Sequence, residues 1–167
     1  NIYKILFISI LILSVLSNET SKALENKILL KLNNEIITTV DISKEINYLK
    51  AFNKNINELD NQKIISIAKN SLIRDKIKKI EILKYTEKLS IDKKYLDSMI
   101  EATYSKIGLN NIYQFKNHLK YYDVNMEKVE QKLTLDAYWN QIIYKKYKNR
   151  VKIDKEKIIN EISNKKN

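Results

Sequence analysis

The sequence has no cysteine and no proline, and Gly108 is its single glycine. Without cysteine the chain has no disulfide, no thiol nucleophile and no zinc–thiolate site, and it is not a lipid-anchored lipoprotein. Proline and glycine are common in the turns of sheets and in tight loops, so their scarcity predicts long helices joined by few turns. Because 44% of the residues are hydrophobic, the chain has enough apolar material to bury a core that holds it together alone.

Residues that commonly act in catalysis or bind metals are also scarce. His118 is the only histidine, which excludes a histidine-based metal cluster, and the sequence has no glycine-rich loop or nucleophile elbow. His118 is interpreted as a packed or surface histidine. Glu127 with Glu130, and Asp75 with Glu81, are interpreted as parts of solvated faces paired with lysine. We therefore expect no catalytic residue, no metal and no cofactor, and we do not expect the chain itself to be an enzyme.

The formal net charge is +11, and nearly all of the positive charge is lysine. A basic chain suggests nucleic acid as a partner. However, Arg74 and Arg150 are the only arginines, which leaves few bidentate contacts, and the lysines are mixed with acidic residues along every predicted helix. A composition rich in Ile, Asn and Lys indicates an AT-biased genome more than a selected binding face. We expect no nucleic-acid partner.

The N-terminus has the layout of a secretory signal. Lys4 precedes an apolar stretch from Ile5 to Leu16, and Ser21-Lys22-Ala23 places small residues at the two positions that a signal peptidase recognises. The stretch is shorter than the roughly 20 residues of a membrane span. Residues 1–23 are therefore predicted to be a cleaved signal peptide, followed by one mature domain over residues 24–167. An uncleaved anchor or a buried helix is the alternative.

A β-hairpin and a helix start follow the predicted signal. Ile28 to Leu32 and Glu35 to Thr38 are short apolar runs on either side of Asn33-Asn34, and asparagine tolerates a positive φ, so a tight hairpin is predicted. Thr38-Thr39-Val40-Asp41 has the pattern of a capping box. It predicts a first helix to about Phe52, with an inward face that carries Ile42, Ile46 and Leu49.

The rest of the sequence has helical periodicity. Further helices are predicted over about residues 61–89, 92–108, 111–122, 126–150 and 155–162. Gly108 is expected to end one of them in a left-handed conformation. The inward residues are predicted to be Ile65, Ala68, Leu72, Ile73, Ile77 and Ile80, and later Val129, Leu133, Ala137, Ile142 and Ile143. The predicted fold class is all-α, with about five to six helices and a small N-terminal β-hairpin.

Aromatic residues are the most informative group that is present. The chain has 11 tyrosines, and with Trp139 they concentrate between Tyr95 and Tyr147. Tyrosine joins a large apolar face to a hydrogen-bonding tip, and methionine adds adaptable contacts, so the group suits a surface that binds many sequences. Plain core packing is the competing interpretation. The candidates for a partly exposed groove are Tyr95, Met99, Tyr104, Tyr113, Phe115, Tyr122, Met126 and Trp139.

The order of these motifs resembles the N-terminal domain of SurA-type periplasmic chaperones. One family pattern, a hairpin followed by a helix start, is matched by Asn33, Asn34, Ile37, Thr38, Asp41 and Ile42. A second, a glycine-hydrophobic turn and a short Phe/Leu-rich helix, is matched by Gly108, Leu109, Phe115 and Leu119. The resemblance covers about residues 28–162. Glu35 is a departure, because the family often has glycine after the Asn-Asn turn.

The resemblance implies a periplasmic chaperone module that binds unfolded outer-membrane proteins, or extended aromatic-rich peptides, without catalysis. The membrane is then a partner only through the signal peptide before cleavage. Family members continue into parvulin domains, and this sequence ends where the first would begin. The alternatives are an N-terminal fragment of a parvulin-type peptidyl-prolyl cis-trans isomerase, a segment of a membrane-anchored foldase of the PpiD kind, or a helical adaptor with one dedicated partner.

Overall fold

The computed structural model describes residues 26–148 and 162–164. This part of the chain is mainly helical and begins with a small antiparallel hairpin, which is the predicted fold class. The predicted signal peptide over residues 1–23, and the predicted last helix up to residue 161, lie outside the described residues. Among the described helices, none combines the length and the apolar character that a membrane span requires.

The hairpin forms as predicted. Strands β1 (Ile28–Leu32) and β2 (Glu35–Thr38) pair antiparallel, and Asn33 adopts a positive φ of 51° in the turn between them. Asparagine accepts this conformation at lower cost than most residues, which explains why the turn forms without glycine. Ile37 of β2 is buried, so one face of the hairpin packs on the helices.

The capping box also forms as predicted and starts helix α1 (Thr39–Phe52). The Asp41 backbone N–H donates to Thr38 Oγ1 at 3.2 Å, and the Thr38 backbone N–H donates to the Asp41 carboxylate at 2.8 Å. These bonds satisfy donors that have no partner inside the helix. A 3-10 helix (Lys54–Glu58) follows, in the interval between the first two predicted helices.

Four more α-helices follow within residues 26–148: α2 (Asn61–Ile82), α3 (Lys93–Lys106), α4 (Ile112–Tyr121) and α5 (Met126–Tyr147). Each begins after an aspartate or asparagine whose side chain accepts from the backbone N–H of the third helical residue. Gly108 follows α3 with a φ of +83°, the left-handed conformation predicted for it. Helix α2 packs on α1 and α5, and α3 packs on α4 and α5.

Helix α2 is shorter than predicted. It ends at Ile82 and not near Leu89, and residues 83–92 form a connector to α3. Within the connector the Thr86 hydroxyl donates to the Lys88 carbonyl, a local bond that competes with continued helix. The helix predicted to run to residue 150 is described only to Tyr147, the last residue of α5.

The inward faces of the two long helices also need correction. In α2 the buried positions include Ile64 and Ile82, while the predicted Ile65 and Ile77 are 47% and 50% exposed. The stripe that meets the other helices is therefore shifted by one residue at its start. In α5 the predicted Ile143 is exposed, and the last buried residue of this helix is Leu135.

The buried apolar side chains form two clusters. The Phe115 cluster joins α1, α3, α4 and α5 through Ala51, Ile100, Phe115, Leu119, Val124 and Val129. The hairpin cluster joins β2, α1 and α2 through Ile37, Ile42, Ala68 and Leu72. Burying such side chains is the main favourable contribution to folding, so these clusters fix how the helices are arranged around the sites described next.

Candidate functional site

The residues predicted to line an aromatic groove do not lie on one surface. Tyr95 and Tyr113 are exposed, at 53% and 72%. Met99 and Trp139 are half-buried. The others belong to the Phe115 cluster or pack against it: Tyr104, Phe115, Tyr122 and Met126. The prediction of an open groove is therefore corrected for Phe115, which has 0% exposure.

Partly buried aromatic rings surround the fully buried Phe115. The Phe115 ring centroid lies 6.0 Å from that of Phe52 and 5.8 Å from that of Tyr104, and Phe52 lies 4.6 Å from Tyr48. Aromatic pairs at these separations add stability beyond the area they bury. Phe115 is therefore a core residue, as the competing interpretation of plain core packing predicts.

The exposed apolar surface is provided largely by residues outside the predicted set. Tyr121 is the most exposed of these, at 82%, and Tyr144 and Tyr85 are 67% and 64% exposed. The hairpin adds Ile28, Leu29 and Ile36. Helical periodicity could have placed Tyr121 outward, because Leu119 and Phe115 on the same helix are inward and Tyr121 falls on a different face.

A buried ionic network lies between α1, α2 and α5, and the sequence patterns did not predict it. It consists of Glu45, Ser71, Asp75, Lys128 and Lys132. Glu45 has 0% exposure, and its Oε1 accepts from Lys132 Nζ and from Ser71 Oγ, both at 2.8 Å. Lys132 Nζ also lies 2.5 Å from Asp75 Oδ2, and Lys128 Nζ lies 3.5 Å from Glu45 Oε2.

The network determines the charge state of its lysine. Burial alone would lower the pKa of Lys132, but the negative charges of Glu45 and Asp75 and the hydrogen bonds to them outweigh burial and raise that pKa above its ordinary value. The Lys132 ammonium also lies 4.7 Å from the centre of the Tyr48 ring. Burial, followed by the charge of Glu45, raises the pKa of Tyr48 as well, so its hydroxyl stays protonated.

One sequence signal could have revealed this network. Glu45 lies three residues after Ile42 and four before Leu49, so it shares the inward face of α1 with both. A carboxylate on such a stripe needs a buried partner. Asp75 does pair with lysine as predicted, but Lys132 holds it against the buried network and not on an open face. Glu81 pairs with Lys84 on the surface, as predicted.

A cleft of about 580 Å³ lies against the ionic network. Its walls come from Asp41 at the start of α1, from α2, from the 83–92 connector, from the start of α3 and from the first half of α5. Tyr138 of α5 fixes the connector: its hydroxyl accepts from the Ser90 backbone N–H at 3.2 Å and donates to the Ser90 carbonyl at 2.7 Å. One wall of the cleft is thus a connector held in place by hydrogen bonds, and another carries charged residues of the ionic network.

His118 has a structural contact that agrees with its interpretation as a packed histidine. Its Nε2 lies 2.7 Å from the Ala51 carbonyl oxygen, so it ties α4 to the end of α1. Its ring centre is 5.0 Å from that of Tyr122. Within residues 26–148 and 162–164, no group of three or more His, Asp or Glu side chains is arranged to hold a metal ion.

Comparison with known protein families, with curated proteins and with solved structures finds no significant match to this chain. The resemblance to SurA-type chaperones therefore stays a prediction from sequence motifs.

Proposed function

We propose that this chain is a periplasmic chaperone module of the SurA type, which binds unfolded outer-membrane polypeptides without catalysis. The observation that carries the proposal is the number of large apolar side chains left in contact with water. Tyr113, Tyr121 and Tyr144 are each more than 60% exposed, on two different helices. Tyrosine joins a large apolar face to a hydrogen-bonding tip, so side chains of this kind are suited to contacts with a partner.

The distribution of these side chains suits a flexible partner. Exposed apolar residues lie on the hairpin, the connector and helices α2 to α5, so no single pocket collects them. An unfolded chain reaches several such contacts at once, and linked weak contacts raise the overall affinity. Binding of this kind requires no bond to be made or broken, and it needs no nucleotide.

The overall architecture supports the same proposal. The fold class is the one that the resemblance implies, and Asn33, the Thr38–Asp41 capping box and Gly108 have the conformations that the matched motifs require. The binding surface that we propose differs from the groove predicted from the sequence. It uses Tyr95 and Tyr113 from the predicted set, together with Tyr121 and Tyr144.

A light-scattering assay tests the proposal. A denatured β-barrel outer-membrane protein is diluted into buffer with a several-fold excess of the purified chain, residues 24–167. We expect aggregation to be suppressed, and we expect the variant Tyr113→Ser with Tyr121→Ser to lose at least half of that effect. Aggregation that proceeds unchanged with the unaltered chain would contradict the proposal.

A matched variant controls for changes to the same helix. Lys116→Ser with Lys120→Ser also shortens two exposed side chains of α4, but it removes no aromatic surface. We expect this control to suppress aggregation like the unaltered chain. An equal loss in both variants would mean that the exposed tyrosines are not the client contacts.

A further inference from the structure

The C-terminal part of helix α5 extends beyond the core of the protein. Leu135 is the last buried residue of α5, yet the helix continues for about three more turns to Tyr147. Ile143, Tyr144 and Tyr147 in this part are exposed, and their spacing along the helix places them on one side of it. The end of α5 therefore presents an apolar and aromatic face to water.

Two lysines border this face. Lys146 Nζ lies 5.9 Å from the centre of the Tyr147 ring, and Lys148 Nζ lies 5.9 Å from the centre of the Tyr144 ring. Among the described residues, neither lysine has a carboxylate oxygen within 4.0 Å. We call these four residues together with Ile143 the α5 tip.

The positive charge of the α5 tip is largely uncompensated in the part of the chain that the structure describes. The sequence has no aspartate or glutamate between Asp136 and Asp154. Glu81 of α2 interacts with Lys146, but only at longer range, and it already forms an ion pair with Lys84. The tip thus joins exposed rings to ammonium groups that are available to a negatively charged partner.

Helix α4 also presents exposed tyrosines and lysines, but its charge is better compensated. Asp123 lines a small cleft of about 240 Å³ together with Lys116 and Lys120. Asp123 has no ion pair of its own among the described residues, so its charge offsets that of the two lysines. Of the two aromatic faces, the α5 tip is therefore the more strongly positive.

This combination matches the chemistry of an anionic lipid surface. On helices that lie at a membrane surface, rings and apolar side chains enter the headgroup region, while lysines beside them reach the phosphates. The α5 tip projects from a helix and does not line the 580 Å³ cleft, so it suits a broad partner more than a ligand that needs a pocket. The net charge of +11 favours the same partner.

We propose that the α5 tip binds the surface of a membrane that contains anionic phospholipids. This inference goes beyond the proposed function, because it concerns where the chain is held and not which client it binds. Tyr144 then contacts lipid while the chain is at the membrane, and the tyrosines of α3 and α4 stay open to a client. An acidic polypeptide is the competing occupant.

Sedimentation with sucrose-loaded vesicles tests this assignment. The full chain, residues 1–167, is mixed with vesicles of phosphatidylcholine alone or of phosphatidylcholine with phosphatidylglycerol. We expect at least about ten-fold tighter binding to the anionic vesicles, and a difference that shrinks as salt is added. The apolar stretch from Ile5 to Leu16 adds binding to both compositions, so the preference is the quantity measured. Equal binding to both would overturn the assignment.

A charge-matched pair of variants locates the effect. Lys146→Gln with Lys148→Gln should abolish most of the preference for anionic vesicles. Lys63→Gln with Lys69→Gln removes the same charge from exposed positions in the first half of α2 and should preserve the preference. Loss of the preference in both variants, or in neither, would overturn the assignment. Circular dichroism confirms that each variant remains folded.

Poly-glutamate in place of vesicles tests the competing occupant. If the chain binds poly-glutamate, loses that binding in Lys146→Gln with Lys148→Gln, and shows no preference for anionic vesicles, the α5 tip serves an acidic polypeptide and the membrane assignment is wrong. We expect poly-glutamate to leave the preference for anionic vesicles in place.

The aggregation assay separates this inference from the proposed function. Tyr113→Ser with Tyr121→Ser should lose suppression of aggregation but keep the preference for anionic vesicles. If the unaltered chain suppresses aggregation but binds both vesicle compositions equally, the membrane assignment is wrong and the chaperone proposal stands. If it fails to suppress aggregation yet shows the preference and loses it in Lys146→Gln with Lys148→Gln, the membrane assignment stands and the chaperone proposal is wrong.

Discussion

Val129 and Lys132 lie about one turn apart on α5, yet they hold the bundle together in different ways. Val129 belongs to the Phe115 cluster, where apolar side chains from four helices exclude water. Lys132 belongs to the ionic network, where it holds the fully buried Glu45 against α2. The first contact depends on shape and area. The second depends on both partners keeping their charge.

This difference shows how the exposed surface and the core are divided in the molecule. Of the rings predicted to form a groove, the Phe115 cluster contains Phe115 and packs against Tyr104 and Tyr122, while Tyr95 and Tyr113 stay exposed. The ionic network brings the charged side chains of Asp75, Lys128 and Lys132 to the wall of the cleft. The two regions are therefore expected to respond differently to substitution, to pH and to salt.

The largest effect is expected in the apolar region. Phe115→Ala removes a fully buried ring that contacts Phe52 and Tyr104, and the cavity left behind should cost about 3–5 kcal/mol in the free energy of unfolding. Urea denaturation followed by circular dichroism measures it. Tyr113→Ala, on the same helix but 72% exposed, is the matched control and should change stability by about 0.5 kcal/mol or less. Similar losses in both would contradict the placement of Phe115.

The sequence predicted the local features of the fold well. The hairpin turn at Asn33, the capping box at Thr38 and the left-handed Gly108 were all confirmed. Each depends on a few consecutive residues whose side chains satisfy backbone groups or permit a positive φ. Such features need no knowledge of the rest of the protein.

The features that failed depend on contacts between distant parts of the chain. Glu45 and Lys132 are 87 residues apart, so no local pattern pairs them. Phe115 is an equally good candidate for a groove or a core until α1 and α3 are placed against it. The end of α2 at Ile82 has no glycine or proline to mark it. The tertiary arrangement decides each of these, and with them the position of the cleft.

A smaller but still large effect is expected in the ionic region. Lys132→Met leaves the Glu45 carboxylate buried with a weaker partner, because Lys128 lies 3.5 Å away. Breaking a buried ion pair typically costs about 3–5 kcal/mol, and we expect about 2–4 here because Lys128 compensates in part. Lys128→Met is the matched control, and since its side chain is 30% exposed it should cost about 1 kcal/mol or less.

A double variant distinguishes charge from packing. Glu45→Leu with Lys132→Met removes both charges, so much of the stability lost in the single variant should return. If the double variant is as unstable as Lys132→Met, the loss comes from packing and the role of the ion pair is wrong.

Because the pKa of Lys132 is raised in the folded state, its stabilising effect is present below the ordinary value of 10.5 and is lost as the pH rises through the folded-state value.

The smallest effect is expected at the edge of the hairpin, where an ion pair is only partly buried. Hydrogen bonds from Lys76 and then Lys79 lower the pKa of Glu35 below its ordinary value of 4.5. The unfolded chain therefore binds a proton at a higher pH than the folded chain does. The stabilisation from Glu35 is present above about pH 4.5 and disappears as the pH falls through the lower folded-state value.

Glu35→Gln should therefore destabilise the protein by about 1 kcal/mol near neutral pH, and the difference from the unaltered chain should vanish in acid. Urea denaturation at a series of pH values from about 6 down to about 3 measures this difference. Glu87→Gln, at an exposed position without an ion pair in the described residues, is the control and should show no such trend. A difference that persists unchanged at the lowest pH would mean that Glu35 stabilises the hairpin by packing and not by its charge. Glu35 would then act in the same way as Phe115 does in the Phe115 cluster.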